Sequence, residues 1–179
     1  DPIIIEVYAK QFAWQARYAG ADNTLGLGNV NFIDETNNPI GVDLSDPASL
    51  DDKPVTELHL PKGKKVLFKF RSQDVLHSAY MPHFRAQMNC VPGMVTQFAF
   101  TPKYTTEEMR EQSEVMDKVR GINKIRSEKG EDLYEFDYVL LCNKICGASH
   151  YSMQMKIVVE EEEDYKQWLA EQPTFAEKL

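Results

Sequence analysis

The chain has 179 residues, 42% of them apolar and 27% charged, ordinary proportions for one globular domain able to bury a core. Its 20 Lys and Arg stand against 28 Asp and Glu, a net charge of -8, which argues against nucleic acid and favours a basic partner. No apolar run approaches the roughly 18 residues that span a bilayer and no signal-peptide core is found, so the chain reads as soluble; opening on Asp1, it leaves room for processing or an upstream segment.

Most of the sequence reads as short β segments between turn residues. Ile3 to Trp14 is β-branched and aromatic and reads as one strand, with a Gly/Asn/Asp-rich loop from Gly20 to Asn31 after it. Residues 37 to 54 are crowded with turn formers. Val55–Leu60 and Lys65–Phe70 then alternate about Pro61-Lys62-Gly63, a hairpin signature. Further strands are expected at His77–Tyr80, Met94–Phe100, Tyr134–Leu141 and Gln154–Glu160. Seven or so strands with long connections suggest an all-β Greek-key sandwich or barrel over 1–179.

One segment breaks that pattern. From Thr105 to Lys129 there is no Pro, charge is dense, and Val115, Val119 and Ile122 fall at helical spacing. We read residues 103–133 as a helical insertion, with Gly121 as the point where it could divide in two. The acids Glu161–Asp164 before Tyr165–Ala170 indicate a short C-terminal helix, since acids in a first turn complement the helix dipole.

Three cysteines are too few for a disulfide scaffold. Cys90 stands alone and reads as a buried packing thiol. Cys142-Asn143-Lys144-Ile145-Cys146-Gly147-Ala148-Ser149-His150-Tyr151-Ser152-Met153 offers two thiols, an imidazole and a thioether within twelve residues. That soft donor set suits copper better than structural zinc, which seldom uses methionine. A disulfide or redox pair would explain neither His150 nor Met153. If both thiolates bridged two coppers, a second histidine would be needed: His77, where a strand leaves into a loop, fits; His59 reads as a surface strand histidine; nothing selects His83.

Asp74-Val75-Leu76-His77-Ser78, Val91-Pro92-Gly93 and Cys142-x3-Cys146-Gly147-Ala148-x-His150-x2-Met153, in that order, resemble the soluble domain of cytochrome c oxidase subunit II with its dinuclear copper centre. Gln11-Phe12-Ala13-Trp14 is similar to that family's aromatic segment. The resemblance covers nearly all of the chain except residues 103 to 133. It implies a cupredoxin-like fold and a one-electron role: accept from cytochrome c, or from a donor complex carrying one, and pass to haem in subunit I. It also implies that Cys142 and Cys146 bridge two coppers, with His77 and His150 as terminal ligands, Met153 as a weak axial ligand and the Lys144 backbone carbonyl as the last. Sharing one electron across two metals spreads the charge change on reduction, so little rearrangement is needed.

The resemblance also implies transmembrane helices outside these residues, association with subunit I and other oxidase subunits, and a place on the periplasmic side of a bacterial inner membrane. Much of the family carries Glu where Lys144 stands, and that carboxylate reaches a magnesium ion at the subunit I boundary. An ammonium cannot ligate a cation, so no magnesium contribution is expected here. Phe12 takes the place of the family's tryptophan linked to electron uptake; Phe12 and Trp14 are each candidates for that surface or for packing. Asp74 is a docking candidate, while Asn89 stands where an acid is often found. The insertion, with seven Lys or Arg against eight Asp or Glu, is expected to contact a neighbouring subunit or a donor complex. A nitrous-oxide-reductase domain usually has His where Gly147 stands, a copper-delivery protein would hold one exchangeable ion, and a quinol oxidase subunit would not keep the ligands.

Overall fold

The computed structural model describes all 179 residues except the side chain of His150. Ten strands form two five-stranded sheets. The first contains β1 (Ile3–Lys10), β2 (Ala13–Tyr18), β3 (Lys53–Val55), β5 (Val66–Ser72) and β8 (Thr96–Phe100), in the order β3-β2-β1-β5-β8. The second contains β4 (Leu58–Pro61), β6 (His77–Met81), β7 (Ala86–Cys90), β9 (Tyr138–Cys142) and β10 (Gln154–Glu160), in the order β4-β10-β9-β6-β7. Pairing is antiparallel except for β1 with β5 and β4 with β10. Ile5, Val7, Phe68 and Phe70 from the first sheet and Leu60, Ala79, Leu140 and Ile157 from the second share one buried cluster between the sheets. This is a two-sheet β-sandwich, one of the forms the strand pattern suggests, and it is the cupredoxin-like fold that the resemblance implies.

Both faces of β1 are covered. Ile5, Val7 and Ala9 face the sandwich core, while Tyr8 packs with Ile40, Val42 and Phe175 under the long segment between β2 and β3. A buried ion network pins that segment. The Arg17 guanidinium meets Asp52 Oδ2 at 2.7 Å and Glu6 at 3.2 Å and donates to the Gly26 carbonyl at 2.7 Å. Charges this far from water persist when each has a partner, and here every member of the group touches an opposite charge.

Several expectations need correction. The run Ile3 to Trp14 is two strands, because the chain reverses at Gln11-Phe12 and lays β2 antiparallel on β1. Val55 to Leu60 also divides: β3 belongs to the first sheet and β4 to the second, so the segments about Pro61-Lys62-Gly63 are a crossover between sheets and not a hairpin. β7 had no sequence signal, since Ala86-Gln87-Met88-Asn89-Cys90 has no β-branched residue.

The insertion is helical, as α2 (Thr106–Arg110) and α3 (Ser113–Lys129) after the short α1 (Pro47–Leu50). Its break lies at Glu111-Gln112, and Gly121 sits inside an unbroken α3 with open space around it. α2 opens with a capping box in which Thr105 and Glu108 each accept from the other's backbone N–H. Gly130, at φ 70, closes α3. The C-terminal region forms α4 (Glu162–Glu171), with three acids in its first turn, and α5 (Phe175–Lys178).

His59 is not on the surface. Only 7% exposed, it stacks on Trp168 of α4 and sets its two ring nitrogens against Glu160 and Glu57 at 2.7 and 2.8 Å.

Candidate metal centre

His77 opens β6 and Cys142 closes β9, which pair as neighbours through Ala79 and Cys142. β9 is buried at alternate positions, so the strand that delivers Cys142 is fixed by Tyr138 and Leu140 in the core. The chain then leaves the sheet, and Asn143 N–H donates to the Ser78 carbonyl at 2.9 Å. A loop follows and carries Cys146 back beside Cys142 before β10 begins.

The Cys142 and Cys146 sulfurs stand 3.6 Å apart as free thiols. His77 Nδ1 is 3.9 Å from Cys142 Sγ, and the three donor atoms lie within 4.8 Å of one another. All three residues are buried. The Lys144 carbonyl accepts from the Cys142 thiol at 3.2 Å while its side chain is exposed, so the backbone and not the ammonium faces the sulfurs. Met153 is 1% exposed, and its carbonyl accepts from the Trp14 indole N–H at 3.2 Å. The side chain of His150 lies outside the described residues.

A partner for the histidine sits on its far side. Asp74 Oδ1 is 2.9 Å from His77 Nε2, which leaves Nδ1 as the nitrogen aimed at the sulfurs. Burial pushes the Asp74 carboxyl up, but donation from the Gln11 and Val75 N–H groups and from His77 more than offsets it and holds the group below its ordinary range. A carboxylate behind a ligating imidazole fixes its orientation and raises its basicity. The Trp14 ring, 6.3 Å from that of His77, walls the centre on one side.

The donor set fits a thiophilic metal. Burial, and then the neighbouring Cys142 sulfur, push the Cys146 thiol up to about 11. Two thiolate charges this close repel each other, and a cation between them relieves that repulsion. A metal supplies that charge, and sulfur with imidazole is the set that copper takes.

His83 lies apart, its ring edge-on to Phe136 and Tyr138 beside the insertion. Cys90 is buried opposite His77 across β6 and β7, and burial lifts its thiol to about 12. The Phe12 ring is 38% exposed and covers Gly147. Trp14 is buried, with its N–H used inside the protein. Sequence reasoning quoted Gln11 within the aromatic segment but gave it no role; its side-chain amide donates to the Cys146 carbonyl. The contact spans 135 residues of chain, and no local pattern could announce it.

The sequence profile of the cytochrome c oxidase subunit II periplasmic domain matches residues 3–123, a stretch that contains His77 and ends before the cysteine loop. The chain is 38% identical over 178 residues to the alternative cytochrome c oxidase subunit 2 of Bradyrhizobium diazoefficiens, covering 98% of this chain and 53% of that one. It is 26% identical over 112 residues to the cytochrome c oxidase subunit 2 of Thermostichus vulcanus, covering 63% of this chain and 25% of that one. It thus spans about half the length of the first relative and matches a quarter of the second. The crystal structure of the periplasmic domain of subunit II of cytochrome oxidase (CoxB) from Bradyrhizobium japonicum has the same fold, with a TM-score of 0.54 at 17% identity over 94% of this chain and 91% of that one. The chain belongs to the cytochrome c oxidase subunit II periplasmic domain family.

Proposed function

We propose that this chain is the electron-accepting domain of a haem-copper terminal oxidase, taking electrons from a cytochrome c or a donor complex that carries one and passing them to haem in subunit I. The observation that carries this reading is the pair of free, buried thiols 3.6 Å apart with His77 beside them. In this reading Cys142, Cys146, His77, His150, Met153 and the Lys144 carbonyl would together hold two coppers. The copper pair, when bound, supplies a one-electron site whose charge change is shared between two ions.

The chain's own residues set the conditions for that transfer. Asp74 holds His77 with Nδ1 forward. The buried sulfurs and the Trp14 wall keep water away, which limits solvent reorganisation. Val75, Leu76, Ile145 and Tyr151 are exposed around the centre and offer an apolar landing surface, with Asp74 as its acid. The net charge of -8 favours encounter with a basic cytochrome. Phe12, 38% exposed beside the loop, is the aromatic group we assign to donor contact, while Trp14 is buried with its ring near that of His77.

The whole of residues 1–179 is taken as one unit within a larger subunit, attached to a bacterial inner membrane through segments outside this chain and facing the periplasm. Subunit I and other oxidase subunits are its assembly partners. The insertion of residues 103–133 is assigned to contact with a neighbouring subunit or donor complex, and Lys144 to pairing with subunit I carboxylates in place of a magnesium ion.

Electron paramagnetic resonance of the copper-loaded, oxidised protein tests the reading. Two coppers per chain and a hyperfine pattern from an electron shared by two nuclei are expected. One exchangeable cuprous ion per chain would mark a delivery protein, and a disulfide in place of metal would overturn the copper reading.

A further inference from the structure

The β1–β2 hairpin reaches the surroundings of the metal centre at three points, two of them in the loop 142–153. Gln11 N–H donates to Asp74 Oδ2 at 2.7 Å, and the other oxygen of that carboxylate meets His77. The Gln11 side-chain amide donates to the Cys146 carbonyl. Trp14 Nε1 donates to the Met153 carbonyl at 3.2 Å. Among the described residues, and apart from the His77–Cys142 contact, the side-chain hydrogen bonds that reach 142–153 from the rest of the chain both come from this hairpin. Within the loop, the Ser152 N–H and hydroxyl close a turn on the Ser149 carbonyl.

The aromatic residue at the hairpin tip completes the contact. Gly147 has φ 148, and a Cβ added there would stand 2.6 Å from Cε1 and Cζ of Phe12 and 2.9 Å from Gln11 Nε2. Ring and glycine fit only because position 147 carries no side chain, in a backbone conformation that L residues rarely adopt. The loop is therefore shaped against the hairpin as well as by its own bonds.

We propose that Gln11, Phe12 and Trp14 are positioning residues: the hairpin tip acts as a template that holds residues 142–153 in their metal-ready shape before any metal arrives. The proposal rests on reading the loop as a copper site, but its first effect is a property of the metal-free chain. With the template in place the two thiols and His77 are already gathered, so binding does not have to order the loop. Gln11 governs two ligands at once, His77 through Asp74 and Cys146 through its carbonyl.

The test uses the full 179-residue chain in two states. In the metal-free state, the rate of thiol reaction with an aromatic disulfide reagent reports loop opening. Gln11→Glu keeps the length and removes the donor, and Phe12→Leu removes the ring; each is expected to raise that rate about fivefold at unchanged far-ultraviolet circular dichroism. Gly147→Ala should raise it as well, and its effect should shrink in the Phe12→Leu background, because the clash is with the ring. In the copper-loaded state, Gln11→Glu should shift the hyperfine pattern. Should Gln11→Glu fail to fold, Gln11→Met carries the same prediction. If the variants match the parent in thiol rate and in spectrum, the template is overturned. If the parent binds no copper pair while the variants still open the loop, the copper reading fails and the template stands.

Discussion

The His59 imidazole lies flat against the Trp168 indole, ring centres 3.9 Å apart and planes 10° from parallel. That stack joins β4 to α4, and Tyr18 adds an edge contact to the same indole at 5.6 Å. Trp168→Ala removes both aromatic contacts and bares His59. A loss of about 2–3 kcal/mol in unfolding free energy is expected for this half-buried ring, read from the urea midpoint, with copper stoichiometry unchanged.

Asp74 and Lys144 should separate cleanly. Asp74→Asn weakens the group that orients His77, and copper affinity should fall by about 10–100-fold in a competition titration with a chelator. Lys144→Ala leaves the backbone carbonyl in place, so two coppers per chain should remain.

The three cysteines should divide in the same way. Cys146→Ser should abolish the shared-electron spectrum. Cys90→Ala should keep that spectrum and lower stability by about 1–2 kcal/mol, as for a small cavity in a packed interior. Metal analysis together with thermal unfolding of both variants checks the pair.

Asp52 gives a pH signature. Burial lifts its carboxyl from 3.8 to about 6, against the pull of the Arg17 guanidinium. The folded state thus binds this proton more tightly than the unfolded chain. The resulting stabilisation is complete below pH 3.8 and is lost as pH rises through 6, on the order of 3 kcal/mol in all. Subtracting the Asp52→Asn unfolding profile from that of the parent isolates it: the difference should decline from pH 4 to pH 6 and stay flat above pH 7.

The cysteine loop and His77 were legible because ligands clustered in a short stretch announce themselves by residue type. The sheet class was legible too, from alternation. The boundaries failed where a pattern outlasted its element. Alternation runs from Ile3 through Trp14 with no Gly or Pro to mark the reversal, and from Val55 to Leu60 across a change of sheet. Gly121 looked like a break because glycine weakens a helix, yet its exposed position in α3 tolerates it while the turn falls at Glu111. The burial of His59 involves Trp168 and Glu160, more than 100 residues on, and the Gln11 hydrogen bond reaches Cys146, 135 residues on. Contacts of that kind belong to the fold and leave no mark on neighbouring residues.

The two parallel ladders set the order in which this molecule can be built. β1 must wait for β5, some 60 residues downstream, and β4 for β10, about 100 residues downstream. Separations of that size slow the search for the native topology. The cysteine loop sits between β9 and β10, among the last strands to leave the ribosome, so its sulfurs spend the whole of that search without a roof. A cell that makes this domain in an oxidising compartment must therefore keep those sulfurs reduced until the sandwich closes.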